Sequence, residues 1–119
     1  MGQSNRTARI GDEIKKVIGM LIERELKDPR IGFVTVTGVK VSRDISVANV
    51  YVTTSEMDDL EETMAGLSAA AGFLRKRLSE SIKLRNTPEL RFFYDRSLDR
   101  GFQMNALLKR LADERNELQ

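Results

Sequence analysis

The chain has no cysteine and no histidine. These absences exclude thiol nucleophiles, imidazole acid–base catalysis, disulfide staples and zinc sites built from sulfur and imidazole ligands. No segment approaches the ~20 consecutive apolar residues that a membrane span requires, and the opening Met1-Gly2-Gln3-Ser4-Asn5-Arg6 lacks the apolar stretch of a secretory signal. A cytosolic address is the expectation. Arg6 occupies the position where a myristoylation signal wants Ser or Thr, so the Met1-Gly2 start is not read as a lipidation site. There is no glycine-rich loop followed by Lys-Ser or Lys-Thr, and Gly66 and Gly72 lie inside a helical pattern, unlike the glycines of a dinucleotide-binding turn. Asp58 and Glu62 read as capping and solubility residues, and Ser97 beside Asp95 as a cap with no base to activate it. No enzymatic activity, cofactor or metal is expected.

What is present is a chain of 119 residues, 40% hydrophobic and 32% charged. That describes one compact domain over 1–119, with an ordered core over about 5–112 and a short polar end. A chain of ~100 residues already hides about two thirds of its unfolded surface, so it needs no staple.

Ile10, Ile14, Val17, Ile18, Leu21, Ile22 and Leu26 recur at steps of three or four, which predicts a helix capped by Ser4 or Asn5 and ended before Pro29. Gly11 and Gly19 lie inside it, and close approach of another backbone is one reason for such a position. The run from Phe33 to Val41 and a second one through Val47, Val50, Tyr51 and Val52 predict a hairpin around Ser42-Arg43-Asp44. Val34 and Val36 share one parity and Val39 and Val41 the other, which predicts a bulge near Gly38. Ser55 and Asp58 resemble a capping box, and the stripe Met57, Leu60, Met64, Leu67, Ala71, Leu74 and Leu78 predicts a second long helical region with a bend near Gly72. Asn86-Thr87-Pro88 is a break before a short strand, Glu89 to Tyr94, in which alternation buries one of Phe92 and Phe93. Phe73 is assigned to the core beside the bend, and Tyr94 is the candidate for base stacking. Asp95-Arg96-Ser97 then caps a last helix with the stripe Met104, Leu107, Leu108 and Leu111. The expected architecture is α+β, a three-stranded sheet with helices on one face.

The net charge of +2 conceals a strong asymmetry. From Asp44 to Glu62 there are six acids and no base, whereas from Arg75 to Arg110 ten bases stand against four acids. The acids at a helix start and bases toward its far half match a helix dipole, but Arg85, Arg91, Arg96 and Arg100 lie outside that helix. Seven of the ten bases are arginine, whose rigid fork suits phosphate. Duplex RNA resists side-chain readout in its deep groove, so such a chain would work through phosphate and ribose.

Four stretches in order, Lys27-Asp28-Pro29-Arg30, Val41-Ser42-Arg43-Asp44, Ala70-Ala71-Gly72-Phe73-Leu74-Arg75 and Leu84-Arg85-Asn86-Thr87-Pro88-Glu89-Leu90-Arg91-Phe92, resemble the ribosome-binding factor A family of small bacterial assembly factors. The resemblance spans nearly the entire chain and implies a type II KH-like domain. In that domain a kinked helix pair, with the kink at Ala70-Ala71-Gly72, replaces the usual Gly-x-x-Gly loop. It also implies binding to the small (30S) ribosomal subunit and 16S ribosomal RNA, a role in late maturation near the decoding region and importance for growth in the cold. Ribosomal proteins and assembly GTPases are further implied partners, and the free chain is expected to be a monomer. Asn49 stands where relatives often carry a basic residue.

A helix kink offers no open loop for single-stranded readout, so recognition of a structured RNA through shape and phosphate fits better. The candidate RNA-binding residues are Arg75, Lys76, Arg77, Lys83, Arg85, Arg91 and Arg100, with Arg6 and Arg9 as helpers. The alternative is a protein-interaction module on the same scaffold that docks on ribosomal proteins or other assembly factors without touching RNA. Its mark would be a contiguous apolar patch on the open sheet face or first helix. An RNA-processing enzyme is disfavoured, since no metal cluster or general base is evident.

Overall fold

The computed structural model describes residues 5–54 and 59–97. Along them run α1 (Asn5–Glu25), β1 (Val34–Val41), β2 (Val47–Thr54), α2 (Leu60–Ser81) and β3 (Glu89–Tyr94). The last helix, the Ser55–Asp58 capping box and Arg100 fall outside the described residues.

The three- and four-residue spacing of α1 puts Ile10, Ile14, Ile18, Leu21 and Ile22 on one buried stripe. That stripe lies chiefly on β1, and α2 lies chiefly on β3. In α2 the buried stripe is Leu67, Leu74 and Leu78. The sheet order is β1-β2-β3, antiparallel between β1 and β2 and parallel between β2 and β3. Ala48, Val50 and Val52 of β2 and Leu90 and Phe92 of β3 point into the core by strand alternation. Both helices cover that face, and among the described residues no element covers the other. Each fully buried aliphatic side chain contributes about 1.5–3 kcal/mol, so the α1–sheet–α2 seam is the main source of stability.

The expected bulge is present. The β1–β2 register shifts between Val36 and Gly38, so Val36 and Val41 both face inward despite their opposite parity. Gly11 also has a packing reason, because a Cβ there would lie 2.8 Å from the Val39 carbonyl oxygen. Gly19 has nothing within 4 Å.

Two expectations are corrected. The kinked helix pair is a single helix, α2, that runs unbroken through Ala70, Ala71 and Gly72. Ala is the strongest helix former, and the one weak residue, Gly72, keeps a negative φ and is flanked by buried Leu67, Leu74 and Leu78. Phe73 is not in the core but 46% exposed, because it lies one residue off the Leu67, Leu74, Leu78 stripe. Phe92 is the aromatic that strand alternation buries, and Phe93 faces out.

Candidate nucleic-acid interface

The β1–β2 turn is tightly wired. The Ser42 hydroxyl accepts from the backbone N–H groups of Ser46 and Val47 at 3.1 and 3.0 Å. It donates to Asp44 Oδ1 at 2.8 Å. The same carboxylate oxygen receives the Ser46 hydroxyl at 2.7 Å and the Ser46 N–H at 3.1 Å. These donors, Ser46 and then Ser42, hold the Asp44 carboxyl below the usual carboxylate range. Ile45 sits at φ 61°, a left-handed backbone that costs a β-branched residue about 1–3 kcal/mol. Its side chain packs on the core and the hydrogen bonds on either side hold the turn, so Arg43 is carried on a rigid support.

The segment from α2 into β3 closes against this turn. Glu89 N–H donates to the Ser46 carbonyl at 2.9 Å, and Pro88 is fully buried. Arg75 reaches from α2 to the Thr87 carbonyl with Nε and Nη2 at 3.1 and 2.8 Å, pinning the connection. A cleft of about 250 Å³ opens where the turn, the start of α1 and the α2–β3 connection meet, lined by Arg6, Arg43, Asp44, Leu84, Arg85 and Asn86.

The expected basic residues divide into groups. Arg75 and Arg77 leave α2 on opposite sides of Lys76. Arg77 turns to α1 and binds Glu25, with a second contact to Glu80 at 3.2 Å. Those acids, Glu25 first, raise the Arg77 pKa. Lys76 and Lys83 are exposed. Arg85 and Arg6, far apart in sequence, meet in the cleft, while Arg9, exposed one turn further along α1, does not line it. Arg91 lies on the opposite, open face of the sheet, with Glu89 at 3.4 Å. Both partners of that pair are more than half exposed, so it binds weakly.

On the open face, Lys40, Asn49 and Arg91 form one row across the three strands. In the next row Tyr51 and Phe93 touch with ring centroids 5.8 Å apart, and Lys40 Nζ lies 5.9 Å from the Tyr51 ring centre. Arg96 lies 5.9 Å over Tyr94, the expected stacking residue, which is half-buried. Guanidinium groups for phosphate and aromatic faces for bases are thus both present. Among the described residues there is no group of His, Cys, Asp and Glu able to hold a metal ion.

The family model described as ribosome-binding factor A matches residues 6–108. The chain belongs to the ribosome-binding factor A family. A ribosome-binding factor A from Pseudomonas paraeruginosa is 48% identical over 113 residues, spanning 92% of this chain and 88% of its own length. The crystal structure of ribosome-binding factor A from Thermus thermophilus superposes with a TM-score of 0.69 at 31% identity, covering 76% of this chain and 98% of that one. A homology model of the Thermus thermophilus factor, fitted into a cryo-electron microscopy map of its 30S complex, gives a TM-score of 0.60 at 29% identity, with 76% and 96% covered.

In this member of the family, much of the motif sequence serves architecture. Asp28 accepts from the Arg30 backbone N–H at 2.9 Å and from its guanidinium at 2.6 Å, and the Arg30 side chain, then its N–H, lowers the Asp28 pKa. Buried Thr63 donates to the Arg30 carbonyl at 3.1 Å, and a Cβ on Gly66 would lie 2.9 Å from Ile31. The Asp28-Pro29-Arg30 turn is thereby clamped to α2. Reading the chain alone did not pick out Arg43, Lys40 or Tyr51 as candidates, and weighed Phe93 for stacking only against a place in the core. For Arg43 the signal was a base at a hairpin turn. The other three are gathered by the β1–β2 register and the parallel β2–β3 pairing, which link distant segments.

Proposed function

We propose that this protein is a ribosome assembly factor that binds the small (30S) ribosomal subunit and its 16S ribosomal RNA in the cytoplasm and assists late maturation. It acts by binding, without catalysis, as one domain. Membership of the ribosome-binding factor A family across nearly the whole chain carries this reading. The order α1-β1-β2-α2-β3, with β3 parallel to β2, supports a type II KH-like domain in which a continuous α2 leaves no Gly-x-x-Gly loop. Arg75, Lys76, Arg77, Lys83, Arg85, Arg91, Arg100, Arg6 and Arg9 remain proposed RNA contacts. Assembly GTPases as partners, a monomeric free state and importance for growth in the cold belong to the same proposal.

The test is crosslinking on assembling 30S subunits with RNA and protein sites both mapped, alongside affinity measured over a salt series. Affinity should fall steeply with salt, and crosslinks should reach 16S RNA. Salt-independent binding with crosslinks to proteins alone would favour the second reading, a protein-docking module. One observation speaks for that reading: a groove of about 860 Å³ between α1 and β1, where Met20, Leu26, Ile31, Phe33 and Val34 lie among Lys15, Lys16, Glu23 and Arg24 and Phe33 is 82% exposed.

A further inference from the structure

Most of the arginines in the basic half have a partner within the protein. Arg75 is bound to the Thr87 carbonyl, Arg77 to Glu25 and Arg91 to Glu89, and Arg96 lies over Tyr94. Arg6, Arg43 and Arg85 differ. Among the described residues none of the three has a hydrogen-bond or ion-pair partner, and all three line the same cleft of about 250 Å³. They come from three separate elements, the first turn of α1, the β1–β2 turn and the α2–β3 connection. Asp44, the one carboxylate on the cleft, has its Oδ1 engaged by the hydroxyls of Ser42 and Ser46 and the Ser46 N–H, and makes no ion pair with any of the three. Three positive groups against one negative group leave the cleft with a net positive charge and unspent donors.

We propose that Arg6, Arg43 and Arg85 form a phosphate-binding cleft that grips a backbone phosphodiester of RNA. The inference rests on the RNA-binding reading above and locates it. Unpaired guanidiniums seek an anion, and a phosphate oxygen accepts their paired N–H donors in a fixed geometry. The supports are stiff: Arg43 stands on the hydrogen-bonded turn, and Arg85 leads into buried Pro88. Because the backbone there is already ordered, binding costs the arginines side-chain freedom but little backbone freedom. The cleft, about 250 Å³, has room for a backbone phosphate, and a grip on phosphate carries no base-sequence information.

The affinity of Arg6→Ala, Arg43→Ala and Arg85→Ala proteins for isolated 30S subunits, measured from low to high salt, tests this. Lys27→Ala, exposed just past the end of α1 and lining neither the cleft nor the α1–β1 groove, is the control, and thermal melting of each variant establishes that it is folded. Each cleft variant should weaken binding at low salt and flatten the slope of log affinity on log salt by about 0.7–0.9, and Arg43→Lys, which keeps the charge, should retain most of the slope. A steep wild-type slope unchanged in all three cleft variants would overturn the cleft and leave the RNA reading standing. A flat wild-type slope would overturn both. In a second arm, inorganic phosphate is titrated against the arginine side-chain N–H resonances. Cleft variants that lose the response to phosphate but bind 30S subunits as wild type does would mark a free-anion site and overturn the RNA assignment.

Discussion

Arg77 on α2 holds Glu25 at the end of α1 through two guanidinium hydrogen bonds, of 2.9 and 2.5 Å, across 52 residues of chain. A side chain expected to face RNA thus joins the two helices. Both partners are partly solvated, so the pair ties α1 to α2 but adds little stability. Arg77→Ala and Glu25→Ala should each lower the melting temperature slightly, and the double variant should melt close to either single one. Full additivity in that cycle would mean the two groups do not interact in solution.

Gly11 and Gly72 should respond in opposite directions to alanine. At Gly11 the new Cβ meets the Val39 backbone oxygen at 2.8 Å, and backbone must move, at a cost of about 1–3 kcal/mol. At Gly72 nothing lies within 4 Å and φ is not positive, so Gly72→Ala should stabilise by up to ~1 kcal/mol through helix propensity. Urea unfolding of both variants measures this. Destabilisation by Gly72→Ala would show that α2 needs to bend there.

Phe73 and Leu74 are neighbours with different environments. Leu74 is fully buried, so Leu74→Ala should cost about 2–5 kcal/mol. Phe73 is largely exposed, and Phe73→Ala should change stability by less than about 0.5 kcal/mol. If Phe73→Ala also reduced affinity for 30S subunits, the exposed ring would join the interface.

Asp95 links the end of β3 to β1. The Ser97 hydroxyl at 2.6 Å, the Thr37 hydroxyl at 2.5 Å and the Ser97 N–H hold its pKa down at about 2. Thr37 has one hydroxyl proton, and the shorter contact to Asp95 takes it over the Tyr51 carbonyl at 3.3 Å. The folded value lies below the roughly 3.9 of an unfolded Asp. This contribution to stability is therefore complete above about pH 4 and is lost as pH falls through about 2. Thr37→Val should raise the Asp95 midpoint and reduce the acid dependence of unfolding. A carboxyl resonance titrating near 4 in the wild-type protein would contradict the contact.

Much of the fold was legible because it is written in short-range periodicity. The stripe from Ile10 to Ile22, the strand valines and the parity change at Gly38 each lie within a few residues of one another. The division into two helices at Gly72 was misjudged because the local weakness of one glycine was not weighed against the alanines before it and the buried leucines around it. The candidate site was legible only in its residue types. The surplus of arginine after Arg75 is visible in the sequence, but nothing in it distinguishes a guanidinium spent on Thr87 or Glu25 from one left open.

By itself, then, the sequence determined the α+β element order, the bulged hairpin, the family and the separation of acidic from basic segments, since residue identity and local spacing carry all of these. Tertiary structure alone decided which positive groups act together. It placed Arg91 on the open sheet face away from α2, joined Arg77 to α1, and brought Arg6, Arg43 and Arg85 to one cleft. The physical reason is that a charge interacts with whatever packing sets within a few ångströms of it, and those neighbours come from segments that only the sheet register and the seating of the helices bring together.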